Sequence, residues 1–172
     1  MTTKAGPKKA TLPAATNDAI KLLTDDHREV HALFVKYKKL IGKDQAGTER
    51  QPLAEQICVL LTVHAAIEEE IFYPAARKAE VDAALLDEAE VEHATCKDLI
   101  AQIRNMGPDE DCYDAKVTVL GEYIDHHVKE EQDELFPKCR KSTMDLMAIG
   151  ERMVARKEML MAEMMEGLEA VH

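Results

Sequence analysis

The chain has 172 residues and a formal charge of −11, with 33 Asp and Glu against 22 Lys and Arg. That balance excludes general nucleic-acid binding, which needs clustered cations, and disfavours an anionic membrane surface; no apolar run reaches the roughly 18 to 20 residues of a bilayer span. Ala, Leu, Glu, Lys and Met dominate while Trp is absent, so the expected fold is all-α.

Residues 1–16, MTTKAGPKKATLPAAT, carry basic residues with no apolar segment behind them and read as a flexible arm, not a secretory signal. The first helix is expected from Asn17 or Asp18, with an inner line of Ile20, Leu23, Val30, Phe34, Tyr37 and Ile41, and His27 in the gap. GKDQAGT ends it, and Pro52 suits the first turn of the second helix. The inner face of that helix runs Ile57, Leu60 or Leu61, His64, Ile67 or Glu68, and Ile71, until Pro74 stops or bends it. The third helix, about Asp82 to Met106, carries Leu86, Ala89, His93, Cys96, Ile100 and Ile103 on one face. GPDEDC then makes a turn with capping carboxylates, and the fourth helix presents Val117, Leu120, Ile124, His127, Glu131 and Leu135 before Pro137. Short loops favour an antiparallel up-down-up-down four-helix bundle over 17–140. Residues 143–172 form an additional C-terminal helix rich in Met, an adaptable packing surface that either caps the bundle or buries a homodimer interface.

Cys58, Cys96, Cys112 and Cys139 make no Cys-x-x-Cys pair, so reduced thiols and a cytoplasmic location are expected.

Six polar residues occupy inward positions: His27, His64, Glu68, His93, His127 and Glu131. Residues four apart share a helical face, so His64 and Glu68 address one centre, as do His127 and Glu131. A lone inward His is usually a hydrogen-bonded core residue, but here every helix of the bundle supplies one. A buried carboxylate needs a proton, a cation or a metal, and no Lys or Arg shares these stripes. Two metal ions answer both needs, with each Glu spanning the pair and imidazoles at the outer positions. Iron is the first choice and manganese the second, because a closed zinc site needs only about four ligands. Glu90-x-x-His93 matches the ferritin-like pattern once, without its second copy. Aligning His64 with His127 also aligns Glu68 with Glu131 and Pro74 with Pro137, while Asp26-His27 aligns with Glu92-His93. The chain therefore reads as two helical hairpins, each giving half of a dinuclear site.

DHREVHALF, VHAAIEEEIFYP, EHATC and HHVKEEQDELFP resemble the hemerythrin-like domain with its HHE cation-binding repeats, over about residues 18–140. The resemblance implies the same six ligands around two iron ions with a bridging oxo, hydroxo or water. It also implies a small ligand (peroxide, dioxygen or nitric oxide) and roles in oxygen carriage or sensing, reactive-species chemistry or iron handling. The oxygen carriers add a fifth His through His-x-x-x-His on the third helix and use Asp as one bridge. Here Lys97 follows His93, and Glu131 takes the bridge. The expected function is thus reaction with peroxide or related reactive oxygen or nitrogen species, possible as a catalase-like activity. The alternatives are a dioxygen or nitric-oxide sensor and an iron-binding protein.

Around the centre, His31 is a candidate ligand or neighbour, and His126 points elsewhere. Glu69, Glu70, Glu130 and Glu134 read as solvated charges, although Glu69 could guide cations inward. Cys96 reads as a core thiol, and Tyr123 as the hydroxyl best placed beside the ligands.

Overall fold

The structure, a computed structural model, describes residues 18–43 and 47–169. The arm expected over 1–16 lies outside the described residues, as does the very end of the fifth helix. Helix α1 (Ala19–Lys38) starts at Asp18, whose carboxylate accepts from the Lys21 amide at 2.9 Å. It ends earlier than expected: Gly42, at φ 76°, turns the chain and Ile41 is exposed. Helix α2 (Gly47–Ile67) begins earlier than expected, which places Pro52 inside it. Thr48, Glu49, Gln51 and Pro52 are exposed, so the carbonyl that loses its donor lies in a surface turn.

Pro74 does not stop the second rod. A π-helical turn, Glu68–Phe72, precedes it, and the Tyr73 amide donates to the Glu68 carbonyl, five residues back. Helix α3 (Tyr73–Lys78) then carries Pro74 in its first turn, where a missing N–H costs little. Helix α4 (Ala83–Arg104) is capped by Asp82, which accepts from Ala84 and Leu85 amides at 3.1 and 3.3 Å. The next turn forms over GPDEDC, but its carboxylates do not cap the following helix. Glu110 accepts from the Gly107 amide within the turn, and α5 (Tyr113–Glu130) follows Cys112, which makes no side-chain cap. A second π turn, Glu131–Leu135, leads into α6 (Phe136–Lys141), with Pro137 placed as Pro74 is.

In the bundle α1 lies beside α2 and α5, and α4 beside the same two. The C-terminal helix α7 (Leu146–Glu169) packs on α1, α2 and the first π turn, sinking Ile149 and Met153 into the core. Each rod passes from one apolar cluster, around Leu23, Phe72, Leu86 and Leu135, to another around Val30, Ile57, Ile100 and Leu120. The inward His and Glu residues sit between the two. A polar layer is thereby sealed by apolar side chains above and below.

Candidate metal centre

The polar layer brings all six inward residues together, each buried, with Glu68 wholly so. His27 Nε2 lies 3.1 Å from His64 Nε2, and His93 Nε2 lies 3.1 Å from His127 Nε2. The glutamates join the two pairs. Glu68 sets Oε1 3.2 Å from His64 Nε2 and Oε2 3.2 Å from His93 Nε2. Glu131 sets Oε2 3.2 Å from His27 Nε2 and 3.6 Å from His127 Nε2. The donors form two clusters, His27–His64–Glu68–Glu131 and Glu68–His93–His127.

The outer ring nitrogens are held as well. His64 Nδ1 faces Asp26 at 3.3 Å, His127 Nδ1 faces Glu92 at 2.6 Å, and His93 Nδ1 faces Glu69 at 2.9 Å. The Gln132 amide lies 3.4 Å from His27 Nδ1 and accepts its proton once the amide oxygen is turned toward the ring. Carboxylate acceptors keep the proton on Nδ1 and aim the Nε2 lone pair inward, the tautomer a metal requires. These partners follow one pattern in both halves. The acid before each first histidine (Asp26, Glu92) serves the second histidine of its own hairpin, and the residue after each glutamate (Glu69, Gln132) serves the opposite hairpin. Glu69 is thus no free surface charge: it joins His93 to Lys97.

These residues fit metal ions. Neighbouring donors at about 2.1 Å from one octahedral ion stand about 3 Å apart, close to the separations here. Glu68 Oε1 and Glu131 Oε2 are buried without any hydrogen bond, and each lies 3.2 Å from an imidazole nitrogen. Carboxylate oxygens so buried call for a cation. In the metal-free protein protons take that part. Burial alone would lower the His64 pKa, but Glu68 and Asp26 outweigh it and push it up to about 10. His127 rises to about 9 against its own burial, through Glu131 and Glu92. Burial raises Glu68, yet His64 and His93 overcome it and hold the carboxyl well below its usual range. The donor set is consistent with a bridged di-iron site.

Tyr73 enters the centre unforeseen. Its hydroxyl donates to Glu131 Oε1 at 2.8 Å and lies 3.3 Å from Glu68 Oε2, 3.3 Å from His93 Nε2 and 3.4 Å from His127 Nε2. In an unbroken α-helix five residues advance about 500°, leaving Tyr73 roughly 140° away from Glu68. The π turn lengthens that turn to five residues and brings the phenol onto the metal face. Pro74 was the available signal. Tyr123, expected beside the ligands, is exposed. His31 is exposed too and pairs with Asp125 at 3.2 Å, and Glu90 pairs with Arg77 at 2.9 Å, outside the centre. Glu70 meets Arg156 of α7 at 2.7 Å, and Lys157 of the same helix pairs with Asp26.

A small pocket reaches the four imidazoles between the helices. Val30, Leu61, Ile100, Ile124 and Val128 make its apolar wall, and Cys96 lines it as well.

The hemerythrin HHE cation binding domain matches residues 18–139. No curated protein sequence matches the chain. Among solved structures, a hemerythrin HHE cation binding domain-containing protein from Mycobacterium kansasii, a homolog of Rv2633c, superposes with a TM-score of 0.73 at 23% identity. The match covers 88% of this chain and 92% of that one, and it shows a shared fold. With the family's domain matched over most of its length and the two His/Glu clusters in place, the chain belongs to the hemerythrin HHE cation-binding domain family.

Proposed function

We propose that this is a non-haem di-iron protein of the reducing cytoplasm whose centre reacts with hydrogen peroxide or a related small oxygen or nitrogen species. His27, His64, His93, His127, Glu68 and Glu131 would hold the two ions, with Glu68 shared between the two clusters and Glu131 lying between His27 and His127. The observation that carries this reading is the small, mostly apolar pocket over the imidazoles, whose size favours small molecules over large substrates. When bound, the iron pair supplies the two-electron couple by which peroxide disproportionates to water and dioxygen.

The chain's own groups orient the donors and hold a proton beside the centre. Asp26, Glu69, Glu92 and Gln132 hold the four rings, so the donor geometry is set before any ligand arrives. In the metal-free protein burial, then Glu131 and Glu68, raise the Tyr73 pKa well above the usual phenol value, which keeps its proton on Oη and directed at Glu131. The four cysteines are unpaired, in keeping with a reducing compartment.

The test is dioxygen evolution from hydrogen peroxide by iron-loaded protein, against iron-free protein, Glu68→Ala, and free iron with chelator. Sustained evolution that needs the intact centre supports the proposal. A single stoichiometric oxidation, with reversible binding of dioxygen or nitric oxide, would replace it by the sensor reading, which the same apolar pocket favours. Iron uptake without either reaction would leave iron handling.

A further inference from the structure

Away from the buried centre, the described residues bring together another trio of metal-type donors. His126, Glu92 and Glu130, from α4 and α5, place one imidazole nitrogen and two carboxylate oxygens within 4.8 Å of one another. His126 Nε2 lies 3.5 Å from Glu92 Oε1 and 3.4 Å from Glu130 Oε1. The imidazole is exposed, so water can complete a coordination shell there, while the two carboxylates are partly buried.

The lack of a Lys or Arg partner sets these carboxylates apart. Around the same layer, Asp26 pairs with Lys157, Glu69 with Lys97, Glu70 with Arg156, and Glu90 with Arg77. Glu92 and Glu130 have only imidazoles as ion-pair partners, and among the described residues no Lys or Arg pairs with either. Two neighbouring, partly desolvated carboxylates with only imidazoles and no Lys or Arg beside them favour a bound cation.

We propose that Glu92, His126 and Glu130 form a separate, solvent-open site for a divalent cation such as Mn2+, Zn2+ or Fe2+. Two carboxylates balance the ion's charge, and the imidazole favours these metals over Ca2+ or Mg2+, which take oxygen donors. Glu92 ties the site to the centre, because its other oxygen, Oε2, accepts from His127 Nδ1 at 2.6 Å. A cation on Oε1 draws charge from that carboxylate and so reaches a ligand of the buried pair. The site is independent of which small molecule the buried centre takes.

Tag-free, iron-loaded protein would be titrated with Mn2+, with bound metal measured after equilibrium dialysis and free Mn2+ by electron paramagnetic resonance. The expected result is one Mn2+ per chain beyond the iron, weakened roughly tenfold or more in both His126→Ala and Glu130→Gln and unchanged in His31→Ala. Unaltered iron content in the two variants shows that the buried layer is still folded. Absence of extra Mn2+ binding at millimolar concentration, or binding indifferent to both substitutions, overturns the proposal.

Discussion

Tyr73 and Phe136 hold equivalent positions, five residues beyond Glu68 and Glu131, yet only one of them brings a polar group to the centre. Tyr73 donates to Glu131 at 2.8 Å, whereas the Phe136 ring stacks on His27 with centroids 6.0 Å apart. Both residues follow a π turn, so the backbone repeats while the chemistry does not. One half of the centre is apolar at this position and the other carries a phenol.

Tyr73→Phe makes the halves alike. Iron content should stay at two per chain, because four imidazoles and two carboxylates remain. Peroxide turnover should fall roughly tenfold to a hundredfold through loss of the positioned proton. Iron analysis and oxygen evolution on one preparation check this, and unchanged turnover would remove Tyr73 from the mechanism.

His126 and His127 are adjacent but should differ sharply. His127→Ala removes a buried donor beside Glu131 and should take dinuclear loading to one iron or fewer, with a lower Tm. His126→Ala alters an exposed ring and should keep both irons. Equal loss in the two variants would contradict the register of α5.

The metal-free protein should lose stability as pH rises from about 7 to 10. His64 and His127 have folded pKa values raised to about 10 and about 9 from the ordinary 6.5, so the folded state holds protons that the unfolded chain has released. Their contribution is full below about 6.5 and is lost as pH climbs through the folded values. Glu68, held below its usual range, acts in the opposite sense: its contribution is present above about 4.5 and is lost as pH falls through its depressed folded value. Iron binding needs unprotonated Nε2 atoms and should strengthen with pH over the window in which the metal-free fold weakens. Thermal melts of both forms test the pair of trends. A metal-free Tm that climbed between pH 7 and 10 would contradict the first.

Lys157 of α7 pairs with Asp26, the acceptor for His64 Nδ1. In Lys157→Met, Asp26 loses its cation and becomes the stronger acceptor, which makes His64 the better donor to a ferric ion. The reduction potential should fall by on the order of tens of mV. Redox titration checks it, with Lys157→Arg expected to retain the original value.

Much of this centre was legible in the chain. Inward His and Glu residues at helical spacing mark themselves, because an α-helix repeats every 3.6 residues and keeps positions four apart on one face. The repeated His-x-x-x-Glu and its trailing proline disclosed two matched halves, and the structure gathers all six residues into one layer. Asp18 caps α1 as one of the two residues expected there, and α4 starts just after Asp82, near the expected boundary.

Tertiary structure decided what periodicity cannot express. An α-helical count places Tyr73 off the metal face, and only the π turn just before Pro74 turns it inward. Helical spacing shows which face of a rod points inward but not which neighbour it will meet. Asp26 reaching His64, Glu92 reaching His127 and Glu69 reaching His93 therefore emerged only from packing. The same holds for α7. Its methionines announced an apolar face, but the choice of α1 and α2 as its seat came from geometry, with Met153 finding the core while Lys157 and Arg156 met Asp26 and Glu70. Local spacing specifies donors and faces, whereas the partner of each donor depends on how separate helices pack together.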